Sequence, residues 1–237
     1  MFTKTARFYD AIYSFKDYAT EAETLHALIE QYKRSPGNSL LDVACGTGKH
    51  ISLLRDRYQV EGLDIDENLL AIARERNPGV IFHHADMLTF DLGRRFDIVT
   101  CLFGAVGYVK TPERLRQALR NMISHLEPGG VLIVESWITP DNFQDGRLHS
   151  LFVDEPDLKI ARMNISRVED GLAILDFHYM VGTPAGIDYF TERHEMGLFS
   201  PEAYMSEFEA NGMEVMYDPE GLMRRGLYTA VKGIGRG

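Results

Sequence analysis

The chain has 237 residues, 45% of them apolar, which suits one large domain, or a domain with a lid, around a real core. A formal net charge of -10 without a lysine- or arginine-rich run argues against nucleic acid or an anionic membrane as the main partner, while a local basic pocket for a phosphorylated small molecule stays compatible. Cys45 and Cys101 fit no metal spacing, and we see no signal peptide or membrane-length apolar stretch, so we expect free thiols in a protein of the reducing cytoplasm.

The N-terminal stretch up to residue 18 is rich in aromatic side chains. They are Phe2, Phe8, Tyr9, Tyr13, Phe15 and Tyr18. Two interpretations are open, namely a terminal arm packed on the core and a flap that closes over a cofactor. Residues 19–34 then predict an amphipathic helix, because apolar side chains recur there with helical spacing.

A short apolar run at residues 40–43 stops at a loop of small residues, Ala44 to Gly48, and a helical pattern follows at once. Strand, glycine loop and helix form the opening unit of nucleotide-binding α/β folds. A dinucleotide fingerprint would need a third glycine where Ile51 stands. A phosphate-binding loop would need other residues at Val43 and His50, so neither motif is complete.

The remaining interpretation places an acidic residue at the strand end, before a small residue and two glycines. The segment 42–48, Asp-Val-Ala-Cys-Gly-Thr-Gly, resembles motif I of the class I S-adenosylmethionine-dependent methyltransferases. The resemblance implies an α/β, Rossmann-like sheet of seven strands whose last strand is antiparallel. It also implies S-adenosyl-L-methionine as cofactor, S-adenosyl-L-homocysteine as product, and a cofactor loop that includes Asp42, Ala44, Gly46 and Gly48.

Two further strand ends carry acidic residues. Residues 59–64 predict the second strand, and Asp64 at its end is placed to accept the hydroxyls of a ribose. Residues 66–76 predict a helix, and residues 80–84 the third strand, followed by Asp86 and Met87. In the resembled family an acidic residue here binds the adenine amino group, and Met87 would pack on the ring; a capping aspartate and a core methionine are the alternatives.

No metal site is expected. His83 and His84 are adjacent on a strand and therefore point to opposite faces, so they cannot chelate one ion together.

The fourth strand is predicted over residues 96–102, and the segment from Leu102 to Tyr108 should lie beside the donated methyl group. A helix is predicted from Pro112 to Leu126, a turn at residues 127–130, and the fifth strand at residues 131–135. The Leu-x-Pro-Gly-Gly-x-Leu string in this region is similar to another signature of the same methyltransferases.

Residues 138–198 depart from the minimal fold. Apolar and polar residues alternate in three pieces, at 159–166, 172–180 and 188–198, which indicates antiparallel strands with one wet face. We therefore predict a core of residues 1–137 plus 199–237, and an inserted antiparallel layer of residues 138–198 that covers the acceptor site. A helix from residue 200 to 212 and strands at 213–217 and 226–232 complete the prediction.

Over nearly its whole length the chain resembles the dTDP-3-amino-sugar N,N-dimethyltransferases of deoxysugar and antibiotic biosynthesis, the desosamine and mycaminose type. The matching blocks are residues 40–48, 93–96, 106–108, the pair Glu135 and Trp137, and residues 225–228. It departs from that pattern at Gly104 and Ala105, where the family has serines, and at Ser136, where it has proline.

The resemblance implies two sets of site residues. On the cofactor side they are Tyr9, Tyr18, Gly46, Asp64, Asp86, Met87 and Leu102, to which Ile65 is added as the neighbour of Asp64. On the sugar-nucleotide side they are Tyr108, Trp137, Arg162 and Arg225. Candidates to position an acceptor amine or to receive its proton are Tyr108, Glu135, His178 and His194.

The expected acceptor is a small molecule, such as a dTDP-amino sugar, and a homodimer is left open. Two alternatives remain from the sequence. One is an N- or O-methyltransferase of another small metabolite, and the other is a non-catalytic S-adenosylmethionine-binding protein.

Overall fold

The computed structural model describes residues 5–234. Phe2 and both ends of the predicted core, residues 1–4 and 235–237, lie outside the described residues. The α-helices are α1 (Tyr9–Ile12), α2 (Tyr18–Tyr32), α3 (Lys49–Leu54), α4 (Glu67–Arg76), α5 (Pro112–Ser124) and α6 (Pro201–Ala210). Short 3-10 helices lie at Ala6–Phe8 and Ala105–Val109.

The strands form two separate sheets. They are β1 (Ser39–Val43), β2 (Gln59–Asp64), β3 (Ile81–His84), β4 (Phe96–Cys101), β5 (Leu126–Glu135), β6 (Leu148–Glu155), β7 (Leu158–Glu169), β8 (Leu172–Thr183), β9 (Gly186–Gly197), β10 (Met213–Asp218) and β11 (Leu227–Lys232). Seven strands form one sheet in the order β10-β11-β5-β4-β1-β2-β3, and β6 to β9 form the other in chain order.

The predicted seven-stranded sheet is confirmed, including its one reversed strand. β11 runs antiparallel to both of its neighbours, β5 and β10, while the other neighbouring pairs run parallel. Strands buried on both faces read as continuous apolar runs, and Leu40 and Leu41 accordingly pack into cores on opposite faces. Helices α2 and α3 cover one face, and α5 and α6 cover the other.

Two local predictions were wrong. Helix α5 ends at Ser124, and β5 begins at Leu126, so the predicted turn at 127–130 is part of the strand. A bulge absorbs this segment: Phe96 pairs with Leu126 and Ile98 with Val131, and Gly129 adopts a positive φ of 79° that favours glycine.

The inserted sheet has four antiparallel strands, and the first of them, β6, was missed from the sequence. Its inner face packs against Trp137 and, from the N-terminal arm, Phe8 and Ile12. The arm therefore lies in the groove between the two sheets. Among residues 5–234, no helix is both long enough and apolar enough to span a membrane.

Candidate active site

A cavity of about 550 Å³ lies between the two sheets. Its floor is formed at the carboxyl ends of β1, β2, β3 and β4, where ligands bind in open α/β sheets. Its opposite wall comes from the inner face of the four-stranded sheet, and includes Arg162, Asn164, Leu175 and Phe177. The volume lies within the range of about 300–1,000 Å³ that small-molecule sites occupy.

Asp64 and the glycine loop are held together on the floor. The Asp64 carboxylate accepts one hydrogen bond from the Gly46 N–H at 2.8 Å and another from the Asp66 N–H at 2.9 Å. Burial raises the pKa of Asp64, although these hydrogen bonds oppose the shift. Gly46 has a φ of 56°, and an added Cβ would meet nothing within 4 Å. The loop therefore leaves room for a ligand to approach its backbone.

The neighbouring part of the floor is a mostly apolar slot that also carries the carboxylates of Asp66 and Asp86. Ile65, Met87 and Leu102 line the cavity, as does Asp86. One oxygen of Asp86 accepts from the Leu88 N–H at 2.9 Å, which fixes the carboxylate. Ala44 lines the cavity as well.

Two residues of the predicted cofactor loop do not reach the cavity. A Cβ on Gly48 would lie 2.7 Å from Nδ2 of Asn77, so this glycine permits close packing of the loop against α4. Asp42 is buried beneath the loop, where its carboxylate accepts from the Thr100 hydroxyl at 2.7 Å. Both residues support the loop from the side away from the cavity. This placement corrects the direct cofactor contacts that were expected for them.

The N-terminal arm closes one side of the cavity. Tyr9 and Tyr13 line it, and burial raises the pKa of the Tyr9 hydroxyl well above its ordinary value. Asp10 holds the arm to the glycine loop, because it accepts from the Thr47 hydroxyl at 2.8 Å and pairs with Arg76. Of the two interpretations, these contacts favour a flap.

Tyr18 does not line the cavity. Its ring packs edge-on to His50 at 5.0 Å, and the Lys49 ammonium lies 4.9 Å from its centre. This placement corrects the expected cofactor contact of Tyr18.

The side of the cavity where the acceptor was expected carries positive charge. The cationic residues that line it are Arg114, Lys110, Arg147, Arg162 and Arg225, and His149 lies beside two of them. The Arg162 guanidinium lies 4.6 Å from the ring centre of Phe177. That of Arg225 lies 5.1 Å from the centre of Phe103 and 5.7 Å from the centre of Trp137.

The four arginines that line the cavity have no counter-ion of their own. Within the described part of the chain, Arg114, Arg147, Arg162 and Arg225 form no ion pair with a carboxylate, whereas most other arginines do. Burial, and then the charges of Arg147 and Arg162, lower the pKa of His149. Arginines are thus presented to the cavity without a carboxylate partner, which suits an anionic ligand.

Sequence reasoning missed Arg147 and His149. They are two residues apart, just before and within β6, and so lie on the same side of that strand. This spacing was a usable signal once the strand was recognised.

The candidate amine-binding residues are not all brought together. Tyr108 lines the cavity, and its hydroxyl lies 2.7 Å from Nδ1 of His194. His194 is buried behind Tyr108 and does not reach the cavity itself. Glu135 is also buried outside it and accepts from the Phe103 N–H at 2.6 Å.

His178 lies on the exposed face of the inserted sheet, where its Nδ1 is 2.6 Å from the Tyr189 hydroxyl. Its neighbours Phe177 and Tyr179 occupy the inner face, and side chains alternate along a strand. The structure therefore removes His178 from the acceptor site.

The cofactor side fits a nucleoside that carries an amino-acid tail. Buried Asp64 retains acceptor capacity toward hydroxyl groups, the slot suits a flat base, and the open backbone at Gly46 suits the tail. Among residues 5–234 there is no cluster of three or more His, Cys, Asp or Glu side chains that could hold a metal ion.

Comparison of the amino-acid sequence with known families matches residues 40–130 to a methyltransferase domain. The chain is 40% identical over 232 residues to dTDP-3-amino-3,6-dideoxy-alpha-D-glucopyranose N,N-dimethyltransferase of Streptomyces fradiae, covering 96% of this chain and 91% of the relative. It is 37% identical over 230 residues to dTDP-4-amino-2,3,4,6-tetradeoxy-D-glucose N,N-dimethyltransferase of Saccharopolyspora spinosa, covering 96% and 92%.

Solved structures agree with these relatives. DesVI of Streptomyces venezuelae superimposes with a TM-score of 0.91 at 36% identity, covering 98% of this chain and 99% of DesVI. CalS10 of Micromonospora echinaspora, an amino pentose methyltransferase solved with S-adenosylmethionine bound, gives a TM-score of 0.86 at 38% identity, covering 95% and 96%. The chain is an enzyme with S-adenosylmethionine as its cofactor, and it belongs to the class I methyltransferase family that includes the dTDP-amino-sugar N,N-dimethyltransferases.

Proposed function

We propose that this enzyme methylates the amino group of a nucleotide-linked amino deoxysugar, to the N,N-dimethyl product, as a step of deoxysugar assembly for antibiotics. The substrates named for the relatives support this proposal. The observation that carries it lies in the cavity itself. In a chain with a formal net charge of -10, four arginines without a carboxylate partner among the described residues line the same cavity as Asp64.

The cofactor would occupy the floor of the cavity. Asp64 would accept the ribose hydroxyls and Asp86 the adenine amino group, with Ile65 and Met87 against the base. The backbone at Gly46 would meet the amino-acid tail. When bound, S-adenosylmethionine supplies a methyl group that is already activated by its sulfonium sulfur.

The acceptor would occupy the cationic side. Guanidinium groups fit phosphate oxygens with paired hydrogen bonds, so Arg162 and Arg225 suit the diphosphate of a sugar nucleotide. Ser136 holds the Arg225 segment in place, because its hydroxyl donates to the backbone oxygens of Arg225 and Gly226. Trp137 and Phe103 offer apolar surface beside Arg225 for the less polar, deoxygenated sugar.

The residues of the chain would act mainly by positioning. The arm residues Tyr9 and Tyr13 would exclude water, and the arginines would orient the nucleotide so that its amine points toward the floor. Tyr108 would contact the amine, because it is the candidate of the four that lines the cavity.

Turnover of amino-sugar nucleotides, set against a panel of small amines and hydroxylated metabolites, tests the proposal. Methylation of another small metabolite remains the competing function, and it would lead if only those acceptors gave S-adenosylhomocysteine. The non-catalytic alternative is set aside, because the chain shares 40% identity with an enzyme over 96% of its length.

For the assembly we propose a homodimer through the outer face of the inserted sheet. An outer apolar patch of Leu148, Phe152, Met163, Ile165, Met180, Ile187 and Tyr189 is exposed there, each residue between 44% and 76%. Four strands of up to 12 residues cover about 19 Å by about 40 Å, close to the roughly 800 Å² per partner of a stable interface. A second copy of the chain matches this apolar patch, since charged side chains on the same face pair with each other, as in Asp154–Lys159 and Asp176–Arg193.

We also propose that residues 138–198 are the acceptor-side unit of the enzyme and residues 1–137 plus 199–237 its cofactor-side core. The free thiols of Cys45 and Cys101 are compatible with work in the reducing cytoplasm.

A further inference from the structure

A row of buried polar side chains leads from the cavity into the inserted sheet. The Tyr108 hydroxyl, at the cavity, lies 2.7 Å from Nδ1 of His194. His194 is 3% exposed, and its Nε2 lies 3.8 Å from Oε2 of Glu192. Glu192 and His194 are two residues apart on β9, so both side chains lie on the same face of that strand.

The last residue of this row, Glu192, is hydrogen-bonded to the N-terminal arm. The Thr5 hydroxyl donates to Oε2 of Glu192 at 2.6 Å, and the Thr5 N–H donates to Oε1 at 3.2 Å. Thr5 is 1% exposed and Glu192 is 6% exposed. Two hydrogen bonds from one residue fix the plane of the carboxylate.

This arrangement answers a chemical need that follows from the proposed function. An alkyl amine is mostly protonated at neutral pH, and an ammonium group has no lone pair to attack a methyl group. The acceptor must therefore lose one proton before each transfer. Asp64, Asp66 and Asp86, the carboxylates that line the cavity, lie at the strand-end floor, where the proposed function places the cofactor.

Resting on the proposed function, we propose that Tyr108, His194 and Glu192 form a relay that removes this proton. The N–H bond of the acceptor ammonium breaks, and its proton moves to the Tyr108 oxygen. The hydroxyl proton of Tyr108 passes at the same time to Nδ1 of His194. The amine keeps the electron pair of the broken bond, and the positive charge now rests on the imidazolium beside the Glu192 carboxylate.

The surroundings suit a neutral tyrosine that passes a proton on. Burial raises the pKa of Tyr108 well above its ordinary value, and the nearby groups Tyr13, Tyr179, Glu192 and Asp64 reinforce the shift. The hydroxyl therefore stays protonated until it receives the acceptor's proton.

The groups that face the relay come from several elements. Besides Tyr13 on the arm, Tyr179 on β8 and Asp64 on β2, the Arg162 guanidinium on β7 lies beside Phe177, whose ring is edge-on to His194 at 5.2 Å. Arg162 disfavours a second positive charge nearby, so the Glu192 carboxylate is needed to hold the imidazolium. When the product leaves and water enters the cavity, the proton returns through Tyr108 to the solvent.

Tyr108 would be the catalytic residue of this relay, and His194 and Glu192 its positioning residues. The test compares wild type with Tyr108→Phe, His194→Gln and Glu192→Gln on dTDP-3-amino-3,6-dideoxyglucose, with kcat measured from below to above the pKa of the acceptor amine. Below that pKa we expect a loss of about 100-fold for Tyr108→Phe, and about tenfold or more for the other two. Above it, where the amine arrives deprotonated, each variant should approach wild-type kcat.

Glu61→Gln is the matched control. Glu61 is another buried glutamate beside a histidine, with His83 Nε2 at 2.7 Å, but it lies outside the cavity. This variant should retain the wild-type pH profile. Calorimetric affinity for S-adenosylmethionine and thermal unfolding should show that the relay variants are folded. If His194→Gln or Glu192→Gln does not fold, the pH profile of Tyr108→Phe alone tests the relay.

A loss of equal size at every pH, or a change in KM alone, would overturn the relay and leave Tyr108 as a binding residue. If wild type itself methylates no amino-sugar nucleotide, the proposed function fails, and the relay falls with it. The wild-type reaction distinguishes these two failures before any variant is measured.

Discussion

Arg224 and Arg225 are neighbours in the sequence, but their side chains lie in different environments. The Arg225 guanidinium lines the cavity and lies 5.1 Å from the ring centre of Phe103. The side chain of Arg224 is 91% exposed, and its Nε lies 3.9 Å from Glu220. One arginine of the pair is therefore available to an acceptor, and the other is a solvated surface residue.

This difference supplies a matched test of acceptor binding. Arg225→Ala should raise the KM for an amino-sugar nucleotide about 10- to 150-fold, because hydrogen bonds to charged groups contribute about 1.5–3 kcal/mol. Its affinity for S-adenosylmethionine should barely change, which is the pattern of lost acceptor binding. Steady-state kinetics with Arg224→Ala as control should give wild-type values; equal kinetics for both variants would count against a phosphate role for Arg225.

The proposed role of Asp64 in cofactor binding predicts a loss of affinity when its carboxylate is removed. Asp64→Ala should weaken S-adenosylmethionine binding about 5- to 150-fold, since unsatisfied hydrogen bonds to a ligand cost about 1–3 kcal/mol. Titration calorimetry measures this directly, with circular dichroism to verify the fold. Unchanged affinity in a folded variant would remove Asp64 from the cofactor site.

The burial of Asp42 predicts a pH-dependent stability. Burial is the chief cause that raises the pKa of Asp42 from 3.8 to about 6. The folded chain thus holds this proton more tightly than the unfolded chain, so the free energy of unfolding should fall as pH rises from about 4 to about 6. Asp42→Asn removes this titrating group. The free energy of unfolding of the variant, relative to that of wild type, should therefore rise by up to about 3 kcal/mol as pH rises from about 4 to about 6.

Asp97 provides a control of opposite sign. Burial alone would raise the pKa of Asp97, but hydrogen bonds from Ser39 and Gly37 outweigh it and lower the pKa. Asp97→Asn should therefore be destabilised at neutral pH, with a deficit that shrinks only as pH falls below the pKa of the unfolded carboxyl. Urea denaturation of both variants from about pH 3 to pH 7 checks the signs; parallel behaviour of the two would contradict this account.

The proposed dimer predicts that a charge in the outer apolar patch gives monomers. Phe152 is 66% exposed on β6, and Phe152→Glu on each copy would place like charges in an apolar interface. Sedimentation velocity should show a dimer for wild type and a monomer for the variant. Leu53→Glu, at a leucine 41% exposed on α3, should remain dimeric. A monomeric wild type would refute the assembly.

The cofactor side of the site was the more predictable half from sequence. A buried strand followed by small residues places Asp64 and Gly46 at one sheet edge, and both line the cavity as expected. Gly48 was harder to interpret, because glycine meets two different needs. Glycine is required at position 48 because the Asn77 side chain packs closely against it. The sequence does not show whether a glycine makes room for a neighbouring side chain or for a ligand.

The proposed acceptor side was less predictable for two reasons. It depends on which face of a strand each side chain occupies, and it includes a strand whose two faces are both partly exposed to solvent. Strand β6 lacks the clean alternation of a half-buried strand, and six of its eight residues are exposed, so Arg147 and His149 were overlooked. His178 was misplaced although the alternation of Phe177 and Tyr179 with polar residues does predict an outward position. The link from Tyr108 to His194 is a contact across 86 residues of chain, which no local pattern encodes.

The most direct test of the central claim is a mass-spectrometric assay of the wild-type enzyme with S-adenosylmethionine and dTDP-3-amino-3,6-dideoxyglucose. We expect the nucleotide sugar to gain first one and then a second methyl group on its amine, with one S-adenosylhomocysteine formed for each. Methylation of another small metabolite, while the 3-amino and 4-amino sugar nucleotides return unmodified, would contradict the proposed function.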